Sequence, residues 1–318
     1  LGVNHKTVRS ALQSLEDEGL LANQRRGGLQ RRIVLRNDQA GRRLRVATLL
    51  YSPPDRADHY MVDLQHTLEH HGHHTLYPTK TLMDLGMKLA RVRRLVEKTE
   101  ADAWVVCSAS HEVLQWFVAH EKPAFALFGR RRSLPIAGVG PDHVTAHRAI
   151  VCRLIALGHR RIVFLERESQ RVDGAGAAER AAFDEMHAHG IPTSSYNLPD
   201  WEDTPEGFHR MLDEIFRVTP PTALIIDEPF VFHAAKDHLA RHGILAPDRV
   251  SLLCTGPDPT FAWCRPTVAH LTFDSRPIVR RVVNWANMVA RGQQDQRQML
   301  TKMKFVEGGT MGRASAGG

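Results

Sequence analysis

From Leu44 onward, short apolar runs alternate with longer stretches whose apolar residues recur every three or four positions. The short runs predict buried strands, and the three-and-four spacing predicts helices packed against them. Strands are expected at Val46–Leu50, Thr75–Tyr77, Ala103–Cys107 and Ala124–Phe128, and again at Ile162–Leu165, Ala223–Ile226 and Ser251–Cys254. Helices are expected in the first series at Tyr60–His71, Met83–Lys98 and Glu112–His120. In the second they fall at Thr145–Leu157, Ala177–His189, Glu206–Phe216 and Phe232–His242. Strands alternating with helices of this length predict an α/β fold, with parallel sheets covered by helices on both faces. Two such series predict two lobes.

Before Leu44 the pattern differs. Asn4 can cap a helix in which Val8, Ala11, Leu12 and Leu15 form one apolar seam, and Gly19 ends it. The start of this helix carries Asn4, His5, Lys6, Thr7, Arg9 and Ser10, several of them types that read base edges and phosphates in a DNA major groove. Leu20–Gln24 and Ile33–Leu35 read as strands joined through Gly27 and Gly28, with Arg25, Arg26, Arg31 and Arg32 near the tip. Four guanidinium groups there suit phosphate contact. Residues 37–43 are polar, contain Gly41 and lack an apolar period, so they read as a linker.

A chain of 318 residues with 42% hydrophobic composition can build two or three compact units. No apolar run approaches the roughly 20 residues that span a bilayer, and no signal peptide is visible, so a cytoplasmic location away from the membrane is expected. Cys107, Cys152, Cys254 and Cys264 show no paired spacing and are expected to be reduced. The formal charge of +7 suits a polyanionic partner, and Arg25, Arg26, Arg31, Arg32, Arg36, Arg42, Arg43 and Arg45 concentrate it near the N-terminus.

The N-terminal segment resembles the winged helix-turn-helix of GntR-type regulators. The likeness rests on Leu1–Asn4, Thr7–Arg9, Ala11–Leu12, Leu15–Glu16 and Glu18–Leu21, followed by the Arg/Gly-rich turn. The numbering begins at Leu1, inside what would be the turn before the recognition helix. The family's first helices are not in the sequence, so this segment is expected to bind DNA poorly unless they are present.

Residues from about 44 to 313 resemble the effector-binding domain of the LacI/GalR family, which shares its fold with periplasmic sugar-binding proteins. The segments that carry the resemblance are Val139–Asp142, Leu154–Leu165, Pro199–Trp201, Glu206–Phe208, Pro220–Ile225, His242–Ile244, Pro247–Leu253 and Arg265–Val268, with Leu157–Ile162 the most specific. The resemblance implies three crossings between lobes, near Val139, near His270 and between Gly292 and Met303. The expected organisation is a partial winged domain at 1–36, a linker at 37–43 and a sensor at 44–318. Lobe 1 would take about 44–139 and 271–292, and lobe 2 about 140–270 and 303–313.

In open α/β sheets ligands sit beyond the carboxyl ends of the strands. The strand ends give Tyr51, Ser52, Ser108, Ser110, Arg130, Glu166, Asp227 and Glu228 as ligand-contact candidates, and Asp274 lies on a crossing. The resemblance adds Trp201, whose family counterpart packs on the ligand. It also marks departures. The family's pocket arginine is replaced by Glu179, with Arg180 next to it, and its Asn-Asp pair by Glu228-Pro229. A carboxylate in place of an anchoring arginine would repel an acidic ligand and suit hydroxyls or a cation.

Other signals weigh less. Glu69–His74 is rich in imidazole but lacks a Cys or carboxylate at ligand spacing, so no metal is expected. Gly174-Ala175-Gly176 lacks the third glycine of a dinucleotide fingerprint, and there is no phosphate loop or Gly-x-Ser-x-Gly elbow. Neither a cofactor nor enzymatic activity is expected. Trp104, Trp116, Trp263 and Trp285 read as core or interface residues. Together the two modules imply a homodimeric, ligand-responsive transcription regulator, more in keeping with a repressor, that binds operator DNA and a sugar or related polyol. The alternative is a sugar-processing enzyme or binding protein with a DNA-binding appendage.

Overall fold

The computed structural model describes residues 42–167 and 176–315, together with residue 8 and the segments 21–22 and 32–33. In the N-terminal part, β1 (Leu21–Ala22) pairs antiparallel with β2 (Arg32–Ile33), in the register Leu21 to Ile33 and Ala22 to Arg32. That pairing brings together the two strands expected on either side of Gly27 and Gly28. Val8 is helical, as expected, but 44% exposed, so it is not covered as its place on the apolar seam suggested. Asn4, His5, Lys6, Thr7, Arg9, Ser10, Arg25, Arg26 and Arg31 lie outside the described residues, and of Arg32 only its strand pairing is described.

The remainder forms two sheets. The first contains β3 (Arg45–Leu49), β4 (His74–Leu76), β5 (Ala103–Cys107), β6 (Ala124–Leu127), β7 (Ala137–Pro141) and β12 (Gln298–Thr301), in the order β12-β7-β6-β5-β3-β4. The second contains β8 (Ile162–Leu165), β9 (Ala223–Ile226), β10 (Ser251–Cys254), β11 (Ala269–Phe273) and β13 (Met303–Val306), in the order β13-β11-β10-β9-β8. All pairings within these two sheets are parallel except that of β13 with β11, which closes one edge antiparallel. The chain therefore passes between sheets after Pro141, after Phe273 and at Lys302. The first two crossings fall a few residues beyond the positions the sequence suggested, because β7 and β11 continue to the ends of their sheets.

Helices α1 (His59–His70), α2 (Leu89–Lys98), α3 (His111–Val118), α4 (His143–Ala156), α5 (Ala177–Ala188), α6 (Pro205–Val218), α7 (Pro229–Arg241) and α8 (Arg276–Ala290) cover both sheets. Met61, Leu64 and Leu68 of α1 pack with Val282, Val283 and Trp285 of α8 on one face of the first sheet. Val92 and Val96 of α2 and Val113, Leu114 and Phe117 of α3 cover the other. On the second sheet, α4 and α5 bury Ile150, Leu154 and Met186 on one face, while α6 and α7 bury Phe208, Leu212, Phe232 and Leu239 on the opposite one. These spacings are the amphipathic stripes read from the sequence.

Helix α2 starts later than expected. The Thr81 amide donates to Asp84 at 2.8 Å, and Gly86 and Met87 have φ of +59° and +54°, so residues before Lys88 turn instead of continuing the helix. The Leu-Gly-His motif also has a local cause. Gly158 takes φ +92° after α4, and buried His159 places Nε2 3.0 Å from the Gly312 carbonyl and 3.1 Å from Ser251 Oγ. Together with the Ala314 amide on the Leu157 carbonyl (2.9 Å), this pins the end of the described chain to the second lobe. Among the described residues no helix is long and apolar enough to cross a membrane.

Candidate functional site in the interlobe cleft

The carboxyl ends of both sets of parallel strands face one cleft. Tyr51, just past β3, lies within electrostatic reach of Arg167 just past β8, and Asp58 within reach of Asp258 beyond β10. The closeness follows from the crossings. The Asp142 amide donates to the Thr301 carbonyl at 2.9 Å, holding two of them side by side.

The second-lobe wall is charged and tightly paired. Arg167 grips Glu228 with two hydrogen bonds, Nε to Oε2 and Nη2 to Oε1, the latter at 2.8 Å. Its Nη1 also lies 3.5 Å from Asp203, and its guanidinium sits 5.2 Å from the centre of the Phe230 ring. The side chains of Arg167 and Glu228 are 15% and 22% exposed, so this fork is largely withdrawn from water. Hydrogen bonding to Glu228 holds the Arg167 pKa above its usual range, whereas burial holds Glu228 above the usual carboxylate range. Glu228 is also the residue before the first turn of α7, where a negative charge is favoured by the helix dipole.

Asp227 accepts a hydrogen bond from Thr255 Oγ1 at 2.6 Å. It lies within electrostatic reach of Glu179, His143 and His147. Glu179, in the first turn of α5, approaches Nε2 of His147 at 3.8 Å. Burial raises the Glu179 pKa above its usual range and lowers those of His143 and His147, the mutual repulsion of the two imidazoles adding to the drop at His143. His147 donates through Nδ1 to the His143 carbonyl at 2.9 Å and stacks on Phe164 with 9° between planes. A near-neutral imidazole pair beside two or three carboxylates can exchange hydrogen bonds with hydroxyls or nitrogen donors of a small molecule.

The first-lobe wall is mainly aromatic. Tyr60 and Phe128 meet each other and Phe273, the last residue of β11 at the crossing, edge to face, with ring centres 5.6 Å, 5.9 Å and 6.3 Å apart. Phe128 takes φ +62° and Gly129 φ +68°. At Gly129 a Cβ would lie 2.7 Å from the Ala109 backbone, so this turn requires glycine on both counts.

The residues expected from strand ends are thus divided. Glu179, Asp227 and Glu228 converge on the second-lobe side, Tyr51 lies within electrostatic reach of Arg167, and Glu166 sits half-buried just past β8. Ser52 instead binds Asp55 through its amide (2.9 Å) and hydroxyl, closing a 3-10 turn at Pro53–Ala57. Ser110 caps α3 by accepting from the Val113 amide at 3.3 Å. Ser108 takes φ +48° and donates its amide to Leu127. Arg130 donates its amide to the Ala109 carbonyl at 3.0 Å, and Arg180 is exposed on α5. Asp274 is exposed and gripped by Arg276, which depresses its pKa through hydrogen bonding. Trp201 is only 8% exposed and packs on Phe208 in the core of the second lobe.

Sequence reasoning missed Arg167, His143, His147 and the aromatic trio. Arg167 was legible in part, since it follows Glu166 at the same strand end. Nothing in local spacing marks the histidines, which reach the cleft through the first turns of α4. Of the histidine-rich segment, buried His73 accepts from the Leu44 amide (3.4 Å) and contacts Asn287 (3.1 Å), a packing role. Trp104 and Trp285 are core residues, whereas Trp263 is 87% exposed.

Residues 151–311 match the family model described as the periplasmic binding protein-like domain. No curated protein matches the chain. Among solved structures, the Escherichia coli transcriptional repressor ascG aligns at 17% identity, covering 84% of this chain and 99% of that one, with a TM-score of 0.64. A sugar-binding LacI-family transcriptional regulator from Escherichia coli, complexed with phosphate, aligns at 16% identity over 84% and 98% of the two chains, TM-score 0.65. The lac repressor dimer bound to operator and an anti-inducer aligns at 16% identity over 87% and 96%, TM-score 0.66. At these identities the solved structures show a shared fold, and with the family match they establish that the chain belongs to the periplasmic binding protein-like domain family.

Proposed function

We propose that this protein is an effector-responsive transcription regulator whose ligand binds between the lobes. The observation that carries the reading is the convergence of Arg167, Glu179, Asp227 and Glu228, from different elements, on one cleft where two sheets present their strand ends. Similar folds occur in proteins described as repressors or regulators, which supports the same use here. The N-terminal hairpin and the arginines around it supply a basic segment for DNA. DNA contact is assigned to Asn4, His5, Lys6, Thr7, Arg9 and Ser10, with Arg25, Arg26, Arg31 and Arg32 on the wing, in a homodimer that reads two half-sites.

The effector is a small molecule rich in hydroxyls or bearing a positive charge. Glu179, Asp227, Glu228 and Asp203 outnumber Arg167 on the second-lobe wall, so an acidic ligand would be repelled, whereas a polyol would find acceptors. The aromatic trio offers an apolar surface for the opposite face of a sugar-like ring.

Closure of the cleft would shift the first lobes, and with them the linker at residues 37–43. Arg42 is the joint, because its amide donates to Ala290 at 3.1 Å and its guanidinium pairs with Asp102 at 2.7 Å. Effector titration of the natural full-length protein, with and without operator DNA, tests the reading. A difference corresponding to about 1–3 kcal/mol of coupling is expected. Equal effector affinities in both titrations would leave a binding protein without a switch. Absence of salt-dependent duplex binding would remove the DNA assignment.

A further inference from the structure

We propose that the outer face of the second lobe carries a divalent transition-metal site built from His238, His242 and Asp213. Among the described residues, these side chains place their ligand atoms within 4.8 Å of one another. His238 lies in the last turn of α7 and His242 is its C-cap, one turn further on. Residues four apart on a helix share a face, which is the spacing with which paired histidines hold zinc. Asp213 comes from the neighbouring helix α6, with Oδ1 2.8 Å from Nε2 of His238 and 3.9 Å from Nε2 of His242.

The ring orientation of His242 is already set for a metal. Its Nδ1 lies 2.9 Å from the His238 carbonyl, which can only accept, so Nδ1 carries the hydrogen. In the neutral ring Nε2 then keeps its lone pair, on the side of Asp213. A backbone carbonyl holding one nitrogen while the other ligates is the usual support for a metal-bound imidazole. His238 now shares a hydrogen with Asp213 through Nε2. An incoming ion replaces that hydrogen, which moves to Nδ1 if the ring is neutral or leaves to solvent if it is charged.

His209 supports the arrangement. It lies four residues before Asp213 on α6, and its ring stacks on His238 with centres 4.8 Å apart and 9° between planes. That contact fixes the plane of His238 and makes His209 a positioning residue. Arg241, next to His242 in the chain, has its guanidinium turned to Asp237 at 3.0 Å. The site also sits at the carboxyl end of α7, where the helix dipole favours positive charge.

Two imidazoles and one carboxylate suit zinc and similar borderline ions over magnesium or calcium, and three protein ligands leave a fourth position for water. The site is remote from the cleft. Helix α7 starts at the cleft beside Glu228 and runs 13 residues, roughly 20 Å, to its other end. An ion there would clamp α6 to α7 independently of the effector.

The test is zinc chloride titration of the untagged full chain against a chromophoric chelator, beside a His238→Ala/His242→Ala variant and Asp213→Asn. Wild type should bind one equivalent more than the double variant. Asp213→Asn should weaken that equivalent by about tenfold or more, and His242→Cys should retain it because a thiolate also ligates zinc. Zinc should raise the melting temperature of wild type and not of the double variant. Equal stoichiometry and affinity in wild type and double variant would overturn the site, as would displacement of the zinc by an equal concentration of magnesium. If the double variant loses helical circular dichroism, Asp213→Asn decides, and unchanged zinc affinity there counts against the proposal.

Discussion

The two walls of the cleft are built on different principles. On the first lobe, the polar side chains at strand ends serve their own backbone: Ser52 closes a turn with Asp55 and Ser110 caps α3, leaving the rings of Tyr60 and Phe128, which meet Phe273 from the end of β11. On the second lobe, polar groups are matched across elements distant in sequence, Arg167 with Glu228, Asp227 with Thr255 and Glu179 with His147. One wall is an apolar platform fixed by local hydrogen bonds, and the other is a polar network whose geometry depends on the fold. Shape should therefore be set by the first lobe and chemical selectivity by the second.

The sharpest test of the platform is Tyr60→Ala. Removing its ring from the trio should destabilise the protein by about 3 kcal/mol in denaturant unfolding, the low end for aromatic truncation because Tyr60 is only partly buried. Tyr60→Phe should cost far less. A comparable loss in both would mean that the hydroxyl, not the ring, carries the wall.

Arg167→Ala tests the other side. It leaves Glu228 without its fork in a half-buried position, and a loss of about 2 kcal/mol is expected, below that for a fully buried pair. The Arg167→Ala/Glu228→Gln double variant should recover part of the loss. A fully additive double variant would show that the pair is not coupled.

The histidines of the second wall predict a pH dependence. Burial lowers the pKa values of His143 and His147 below the ordinary 6.5, so the unfolded chain takes up protons that the folded chain refuses. Their contribution to stability is present above pH 6.5 and is lost as pH falls through the window below it. Glu179, with its pKa raised above the ordinary 4.5, acts in the opposite sense: its stabilisation is lost as pH rises from 4.5 through its folded value. His147→Phe should flatten the acid side of the stability profile measured by thermal melts. A profile unchanged by that substitution would place the acid sensitivity elsewhere.

The smallest expected effect is at the caps. Ser110→Ala should cost about 1 kcal/mol of stability and leave effector affinity unchanged. A tenfold fall in effector affinity would make Ser110 a ligand contact and erase the contrast between the walls.

Much of this was legible in the chain itself. Ala103–Cys107, Ile162–Leu165, Ala223–Ile226 and Ser251–Cys254 have the same bounds in the sequence reading and in the structure, because continuous apolar runs of four or five residues suit strands buried on both faces. The α/β class and the two sheets followed from their alternation with amphipathic helices. Strand ends also located Asp227 and Glu228, since a parallel strand delivers its next residues to the same edge as its neighbours.

What the sequence left open depended on distant partners. Strand β7, with two glycines and a proline in Ala137–Pro141, has no strand-like composition and is held by pairing with β6 and β12. The pattern could not show that Trp201 packs on Phe208 in the second-lobe core, because an aromatic residue in a loop suits many neighbours. Nor could it choose Ser110 as a cap over a contact, or bring Arg167 onto Glu228, 61 residues away. Local propensity acts over a helical turn or a strand, which is why the sequence determined the elements and the edge where their ends gather. Which side chains at that edge meet one another was decided only when the two sheets and their crossings placed them there.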